Sequence, residues 1–276
     1  MRGFSGRITA LAALLASTST AALAQDASEA ASDSDEIVVT AQRREQSLLD
    51  VPLAVSALGG DDLAQKGISN SAQLAAAVPN LQINSPFGNT QPNFSLRGIG
   101  VANEYNSNQA SPVGVYIDDV YLAPRTSHGM GLFDLDRIEV LRGPQGTLFG
   151  RNTSAGALNI TTRRPSLSEV EGFANASYGN YDFMNVQAGV SVPVAQDVAA
   201  VRLSGTWRKR DGFLKSATGA TSNDRDRYML RGQLYVEPNS DVSIRILADY
   251  SKVDEKCCDA VIVRETELQP FLLSTA

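Results

Sequence analysis

Long hydrophobic runs are missing from this chain of 276 residues. None reaches the roughly 18 consecutive apolar residues that a membrane-spanning helix requires, which excludes helical spans. Cysteine is nearly absent. The only two, Cys257 and Cys258, are adjacent, so the chain builds no disulfide framework of its own. A bond between neighbouring cysteines is strained. Two free thiols, or a bridge to a partner outside the chain, are expected, and ligand binding by the pair is the alternative. Histidine occurs once, at His128, too little for a multi-histidine metal site, and it reads as a loop residue or a ligand contact. Basic excess is also lacking. With 24 Lys and Arg against 30 Asp and Glu, the net charge is −6, and no Lys/Arg-dense patch marks a nucleic-acid partner.

What is present changes character along the chain. Arg2 and Arg7 flank the start of an apolar run at residues 8–16, and Ala22-Leu23-Ala24 follows. This is the pattern of a secretory signal peptide over residues 1–24, cleaved after Ala24. An N-terminal amphipathic helix is the alternative, but the polar residues do not fall on one face. Residues 25–35, small, polar and acidic, cannot bury a core. They lead to a β-branched block, Glu36-Ile37-Val38-Val39-Thr40-Ala41, which favours extended backbone.

Residues 43–165 alternate helical and strand-like segments. Strands are expected at residues 51–58, from Leu81 to Ile83, at 94–100 and at 113–122, the last with a turn at Asp118-Asp119. Asp61 is placed to cap a short helix that Gly67 stops, and a second helix over 71–77 ends before Pro79. The most distinctive run spans 136–164. Ile138, Val140 and Leu141 make a strand, Gly143-Pro144-Gln145-Gly146 turns, and Leu158 to Thr162 makes a second strand.

After Pro165 the period becomes two. Val186, Ala188 and Val190 alternate with Gln187 and Gly189; Val201, Leu203 and Trp207 with Arg202, Ser204 and Arg208. Leu230 and Leu234 alternate with Arg231 and Gln233; Ile244 and Ile246 with Arg245. With a weaker strand at 172–178 this gives about five strands of roughly ten residues, the length of a tilted membrane-spanning strand. A soluble antiparallel sheet shows the same alternation. Short turns at Gly179-Asn180 and at 237–240, a long polar loop at 211–226, and Tyr178, Trp207, Tyr228 and Tyr250 near strand ends favour the membrane.

The glycine-punctuated run from Asp136 to Arg164 closely resembles the plug of TonB-dependent outer-membrane receptors. Its motif residues here are Arg97, Gly98, Arg142, Gly143, Pro144, Gly146, Gly150, Arg151, Gly156 and Asn159. The resemblance implies an α/β plug domain, residues 43–165, followed by the start of a transmembrane antiparallel β-barrel, residues 166–276. Family barrels have about 22 strands, so the chain is expected to be an N-terminal fragment in the bacterial outer membrane. Residues 25–42 then read as a flexible leader whose Glu36, Ile37, Val38, Val39, Thr40 and Ala41 resemble a TonB box. Such a peptide adds as a strand to the edge of a partner's sheet, and the first strand of the folded domain is the competing reading. The implied partners are TonB with its inner-membrane motor, outer-membrane lipid, and a scarce bulky ligand such as a ferric siderophore. Cobalamin, a saccharide or an aromatic compound remain alternatives. No cofactor is implied. Phe87, Asn89, Gln91, Asn93, Tyr105, Asn106 and Asn108 lie in the plug loops expected to face the ligand. Arg97, Arg142, Arg151 and Arg163 are expected to lock the plug onto carboxylates of the barrel wall, because half-buried charges need partners.

Enzymatic readings find no support in the residues. The Gly143–Gly156 region lacks the Gly-Lys-Ser/Thr ending of a phosphate loop, Gly150 being followed by Arg151-Asn152, and a strand rather than a helix is expected to follow. No nucleophile–His–acid motif stands out. Adjacent Asp118 and Asp119 read as turn formers. A passive porin needs neither box nor plug. An exported fragment that binds TonB without transporting remains open.

Overall fold

The computed structural model describes residues 38–41, 43–44, 46–86, 91–103, 105–106, 108–129, 131–215, 219 and 221–256. The signal segment, Glu36, Ile37, Phe87, Asn89, Cys257 and Cys258 lie outside them. Strands β1 (Val38–Val39) and β2 (Gln46–Ser47) form a small ladder. The plug sheet has five strands in the order β3 (Ala54–Gly59), β8 (Leu135–Arg142), β9 (Gly156–Thr162), β6 (Val113–Ile117), β7 (Val120–Tyr121). Only β6 and β9 run parallel. A second ladder joins β4 (Leu81–Asn84) to β5 (Asn93–Leu96).

Both faces of this sheet are covered, so its strands read as apolar runs rather than as alternation. Ile138, Val140, Val113, Val115, Leu158 and Ile160 pack on one side with Leu63, Leu74, Phe94 and Leu96. Leu141, Ala157 and Tyr116 pack on the other with Phe149, Val51, Val39 and Ala41. Helix α1 (Gly60–Gln65) contributes Leu63 and stops at Gly67, whose φ is +66°. Asp61 is not its cap: the N-cap is Gly59, and Asp61 and Asp62 occupy the first turn, where carboxylates suit the exposed amides. The second helical segment is 3₁₀, Ser71–Ala76, and Gln73 Oε1 accepts from the Ser69 and Asn70 amides at 2.8 and 3.2 Å.

The turns explain several motif residues. Arg97 and Gly98, at φ +52° and +80°, are the two central residues of a tight reversal between Leu96 and Ile99. Asp118 and Asp119, at +45° and +68°, do the same between β6 and β7. Two consecutive left-handed residues match the twist of the flanking strands. One expectation fails locally: the strand expected at 94–100 ends at Leu96, because Arg97 and Gly98 reverse the chain. Helix α2 (Gly146–Phe149), a single turn, stands between the Gly143 turn and β9, and a strand follows Gly150 as expected. Strand β3 also begins three residues later than expected, at Ala54.

Beyond the plug runs a second five-stranded sheet, an antiparallel meander of β10 (Glu171–Gly179), β11 (Phe183–Ala195), β12 (Ala199–Arg210), β15 (Arg225–Asn239) and β16 (Val242–Val253). The long 211–224 connection carries the minor hairpin β13 (Leu214–Lys215) and β14 (Thr221–Ser222). Strand β15 runs through Pro238 to Asn239, so the expected turn at 237–240 narrows to residues 240–241, with a bulge between Val236 and Asn239. A proline in a strand is tolerated at such irregularities.

The polarity of this sheet is inverted. Arg202 and Arg231 are 1% and 3% exposed, whereas Leu203 and Ile246 are 63% and 57% exposed. A water-soluble sheet buries its apolar face. Here the polar face is covered by the plug and the apolar face is bare, as lipid requires. Tyr178, Trp207, Tyr228 and Tyr250 sit at the end that carries the long loop, and Trp207 Nε1 donates to Asp226 at 3.1 Å. Rings with one apolar and one wet end suit that boundary.

Two outcomes follow. A Cβ on Gly156 would stand 2.2 Å from the Leu141 carbonyl oxygen and 2.6 Å from Leu96 Cδ1, whereas one on Gly146 meets nothing within 4 Å. Gly156→Ala should cost about 1–3 kcal/mol and Gly146→Ala should not destabilise the protein, both read from denaturant unfolding. His128 is buried against Phe94 with Nε2 donating to the Leu122 carbonyl at 3.0 Å, and burial pushes its imidazole below the ordinary 6.5. The unfolded chain therefore binds this proton more readily than the folded one. Stability should fall as pH drops below about 6.5, and His128→Gln should remove that part of the acid sensitivity in parallel unfolding curves.

Candidate functional site

The site is the seam between plug and strands. Arg202 of β12 places Nε 2.9 Å from Asp134 Oδ2 and Nη2 2.5 Å from Oδ1, and both side chains are essentially fully buried. Asp134 stands just before β8, at φ +51°, and its carbonyl accepts from the Arg163 amide. Arg245 of β16 reaches Asp118 Oδ1 at 3.2 Å and Thr162 Oγ1 at 2.6 Å. Asp118 in turn accepts from the Thr162 amide and hydroxyl at 3.0 and 2.6 Å, so this turn former is also a docking residue. Arg208 donates to the Ser69 carbonyl, Gln233 to that of Arg163, and Arg231 lies over the Phe133 ring at 5.0 Å while pairing with Asp249 on its own sheet.

The expected lock is therefore corrected in its polarity. The wall supplies guanidiniums and the plug supplies carboxylates and carbonyls. Among the described residues none of the four expected arginines pairs with a strand carboxylate. Arg163 pairs with Asp61 and Arg142 reaches the Ala54 carbonyl, both inside the plug, while Arg97 and Arg151 are exposed. The physical reason is topological. β12, β15 and β16 place arginine at inward register positions, and a second cation facing them would be repelled.

The remaining motif residues serve the plug's own architecture. Gly143, at φ +108°, turns β8 out of the sheet, with Pro144 exposed behind it. Its amide donates to the Ala155 carbonyl at 2.9 Å. Gly150 ends α2 at φ +80°, and Gly156 opens β9. Asn159 is buried in β9, with Nδ2 3.4 Å from Thr40 Oγ1.

The box-like segment is not free. Val39 and Ala41 are fully buried, and the Thr40 amide donates to Glu139 Oε1 at 2.7 Å with its hydroxyl at 3.1 Å. Residues 39–41 of the expected flexible leader are thus packed onto the plug sheet, because two small apolar side chains fill the face beside Leu141 and Tyr116. Glu139 is itself fully buried and accepts from Arg137 Nε at 2.8 Å. Burial works against charge on Arg137, and the bonds to Glu139 and Asp136 more than offset it, holding its guanidinium above the ordinary range.

The candidate ligand loops divide. Tyr105, Asn106 and Asn108 are exposed. Asn106 Oδ1 accepts from the Asn108 amide at 3.0 Å. Gln91 and Asn93 are turned inward, both nearly fully buried. Arg125 organises this region by donating to Asn93 Oδ1 and to the Asn106 carbonyl. A single arginine in a loop gave no signal for that role. A cavity of about 540 Å³ lies between α1 and strands β10 and β11, with Asp61, Gln73, Asn175, Asn185 and Gln187 among its lining residues.

The comparisons with known proteins agree with this geometry. Residues 47–157 match the TonB-dependent Receptor Plug Domain model. The pesticin receptor of Yersinia pestis is 27% identical over 192 residues, 68% of this chain and 28% of the receptor. The vitamin B12 transporter of Vibrio vulnificus is 28% identical over 154 residues, 54% of this chain and 24% of the transporter. Among solved structures, the ferric yersiniabactin uptake receptor of Yersinia pestis superposes with a TM-score of 0.66 at 24% identity, covering 72% of this chain and 31% of that one. The chain spans less than a third of the length of these relatives. With a plug sheet seated on the polar face of lipid-facing strands, and with residues 47–157 matched, the chain carries a TonB-dependent receptor plug domain followed by strands of an outer-membrane barrel.

Proposed function

We propose that the receptor carrying this chain imports a ferric siderophore across the outer membrane, driven by TonB. The observation that carries this reading is a plug held by polar contacts against the inner face of outer-membrane strands. A passive pore needs no such obstruction. Ligand binding belongs on the side of the long 211–224 loop, because extracellular loops are the longer ones in such barrels. The 36–41 segment is the point at which TonB takes hold, and the anchorage of Thr40 on Glu139 sets how easily it is withdrawn. Siderophore is favoured over cobalamin because receptors for ferric yersiniabactin and ferripyoverdine recur among the similar structures and relatives.

The reading is tested in cells lacking their own ferric siderophore receptors and expressing the full receptor. Radio-iron uptake from supplied siderophores that stops when TonB is deleted supports it. Uptake of labelled cobalamin instead, or iron uptake indifferent to TonB, contradicts it.

The anchor makes a separate prediction. Thr40→Val removes the hydroxyl contacts to Glu139 and should weaken the anchorage by about 1 kcal/mol. Glu139→Ala removes the acceptor of both the hydroxyl and the Thr40 amide and should do more. A spin label at position 38 should become more mobile in the order wild type, Thr40→Val, Glu139→Ala. Equal mobility in all three would remove Glu139 from this role.

A further inference from the structure

Two cross-strand pairs at the loop end of the sheet are like-charged. In the register of β12 with β15, Arg208 stands opposite Arg227 and Arg210 opposite Arg225. All four occupy the inward-facing set of their strands, the set that includes buried Arg202 and Arg231. Directly opposed like charges destabilise a sheet, so four guanidiniums stacked two by two need anions. Among the described residues only one carboxylate is engaged with them. Glu255 takes Arg227 in a two-pronged contact, Oε1 to Nε at 2.6 Å and Oε2 to Nη2 at 2.5 Å, and lies 4.0 Å from Arg225 Nε. Asp224 is turned to the Lys256 amide and Asp226 to Trp207.

The other contacts position the cations without neutralising them. Arg208 donates to Asn185 and to the Ser69 carbonyl. Arg210 lies over the Phe213 ring at 4.8 Å and donates to the Asn223 carbonyl. Arg210 Nε and Arg225 Nε are buried with no acceptor among the described residues. A buried donor left unmade costs more than a made bond returns, and two such donors in one cluster mark a place where acceptor oxygens belong.

We propose that Arg208, Arg210, Arg225 and Arg227 form an anion-binding wall at the outer mouth of the lumen. It selects an iron chelate of net negative charge that presents carboxylate or phenolate oxygens. This deepens, and rests on, the importer reading given above. Guanidinium forks match paired oxygens in geometry as well as charge. The source of the anion is the lumen and not the lipid surface, because the four arginines share the inward face while Lys209 between two of them is exposed on the other.

The test uses the full receptor in detergent and the variant Arg210→Gln/Arg225→Gln, which leaves the plug contacts of Arg202, Arg208 and Arg245 in place. Two anionic probes, ferric citrate and a ferric tris-catecholate, are titrated beside a neutral ferric tris-hydroxamate, and thermal unfolding is followed with and without sulfate. The variant should lose about 10- to 100-fold in affinity for whichever anionic chelate the wild type binds and keep its affinity for the neutral one. Sulfate should stabilise the wild type and not the variant. Sulfate acting equally on both, anionic affinity unchanged in the variant, or equal loss for the neutral chelate would each overturn the anion wall while leaving iron import standing. Arginine-dependent stabilisation by sulfate in a receptor that imports no iron would keep the wall and refute iron import instead.

Discussion

The structure depends on one constraint: strands that face lipid on one side must carry their polar side chains on the other. In β12, β15 and β16 those groups are largely arginines, and the plug supplies the partners of Arg202, Arg208 and Arg245. Arg202 with Asp134 is the tightest case, a fully buried pair made by two-pronged hydrogen bonding. Around it the acceptors are mostly main-chain carbonyls, from Ser69, Thr162 and Arg163. A seam of this kind differs from a hydrophobic core in a way that matters for a transporter. Water can replace each of its contacts when the plug shifts, whereas an apolar seam would expose surface at every step. On the proposed import reading, such a seam holds the plug and still lets it move.

Strand β8 joins the two ends of this arrangement. Asp134, the partner of Arg202, immediately precedes it, and Glu139, which holds Thr40, lies within it. About 17 Å of extended chain separates them. β8 is also paired on both sides, with β3 and β9. Force applied to the 39–41 segment therefore enters the sheet at the strand that ends on the wall's main anchor. The proposed anion wall lies on the same β12 that carries Arg202, eight residues nearer the mouth at Arg210. On the proposed reading, ligand and energy input would meet the seam on neighbouring elements.

Much of this was legible in the sequence because it is local. Period-two alternation gave four of the long strands and, more weakly, the first, and the aromatics were legible as lying near strand ends. The paired residues Asp118-Asp119 signalled a tight reversal, whereas Arg97-Gly98 was read as part of a strand and proved to be another reversal. Illegible features were those decided by tertiary partners. Which arginines lock the plug cannot be read from their motif: Arg163 found Asp61, while Arg245 found Asp118, 127 residues away. Gln91 and Asn93 look like exposed loop polars until Arg125 draws Asn93 inward. Thr40 looks free until Glu139, which reads as an ordinary strand residue, proves to be buried beneath it. The one-turn helix after Gly143 is too short to carry a periodic signal.

The central claim, that wall arginines seat the plug, is tested most directly by a double-mutant cycle on Arg202 and Asp134 in the full receptor. Arg202→Met, Asp134→Asn and the pair are compared by denaturant-induced release of the plug. The account predicts that each single change costs about 3–5 kcal/mol. The double variant should be markedly more stable than their sum, with a coupling of at least about 2 kcal/mol. Changes that add to within about 0.5 kcal/mol would contradict it and show that the plug is held by something other than this pair.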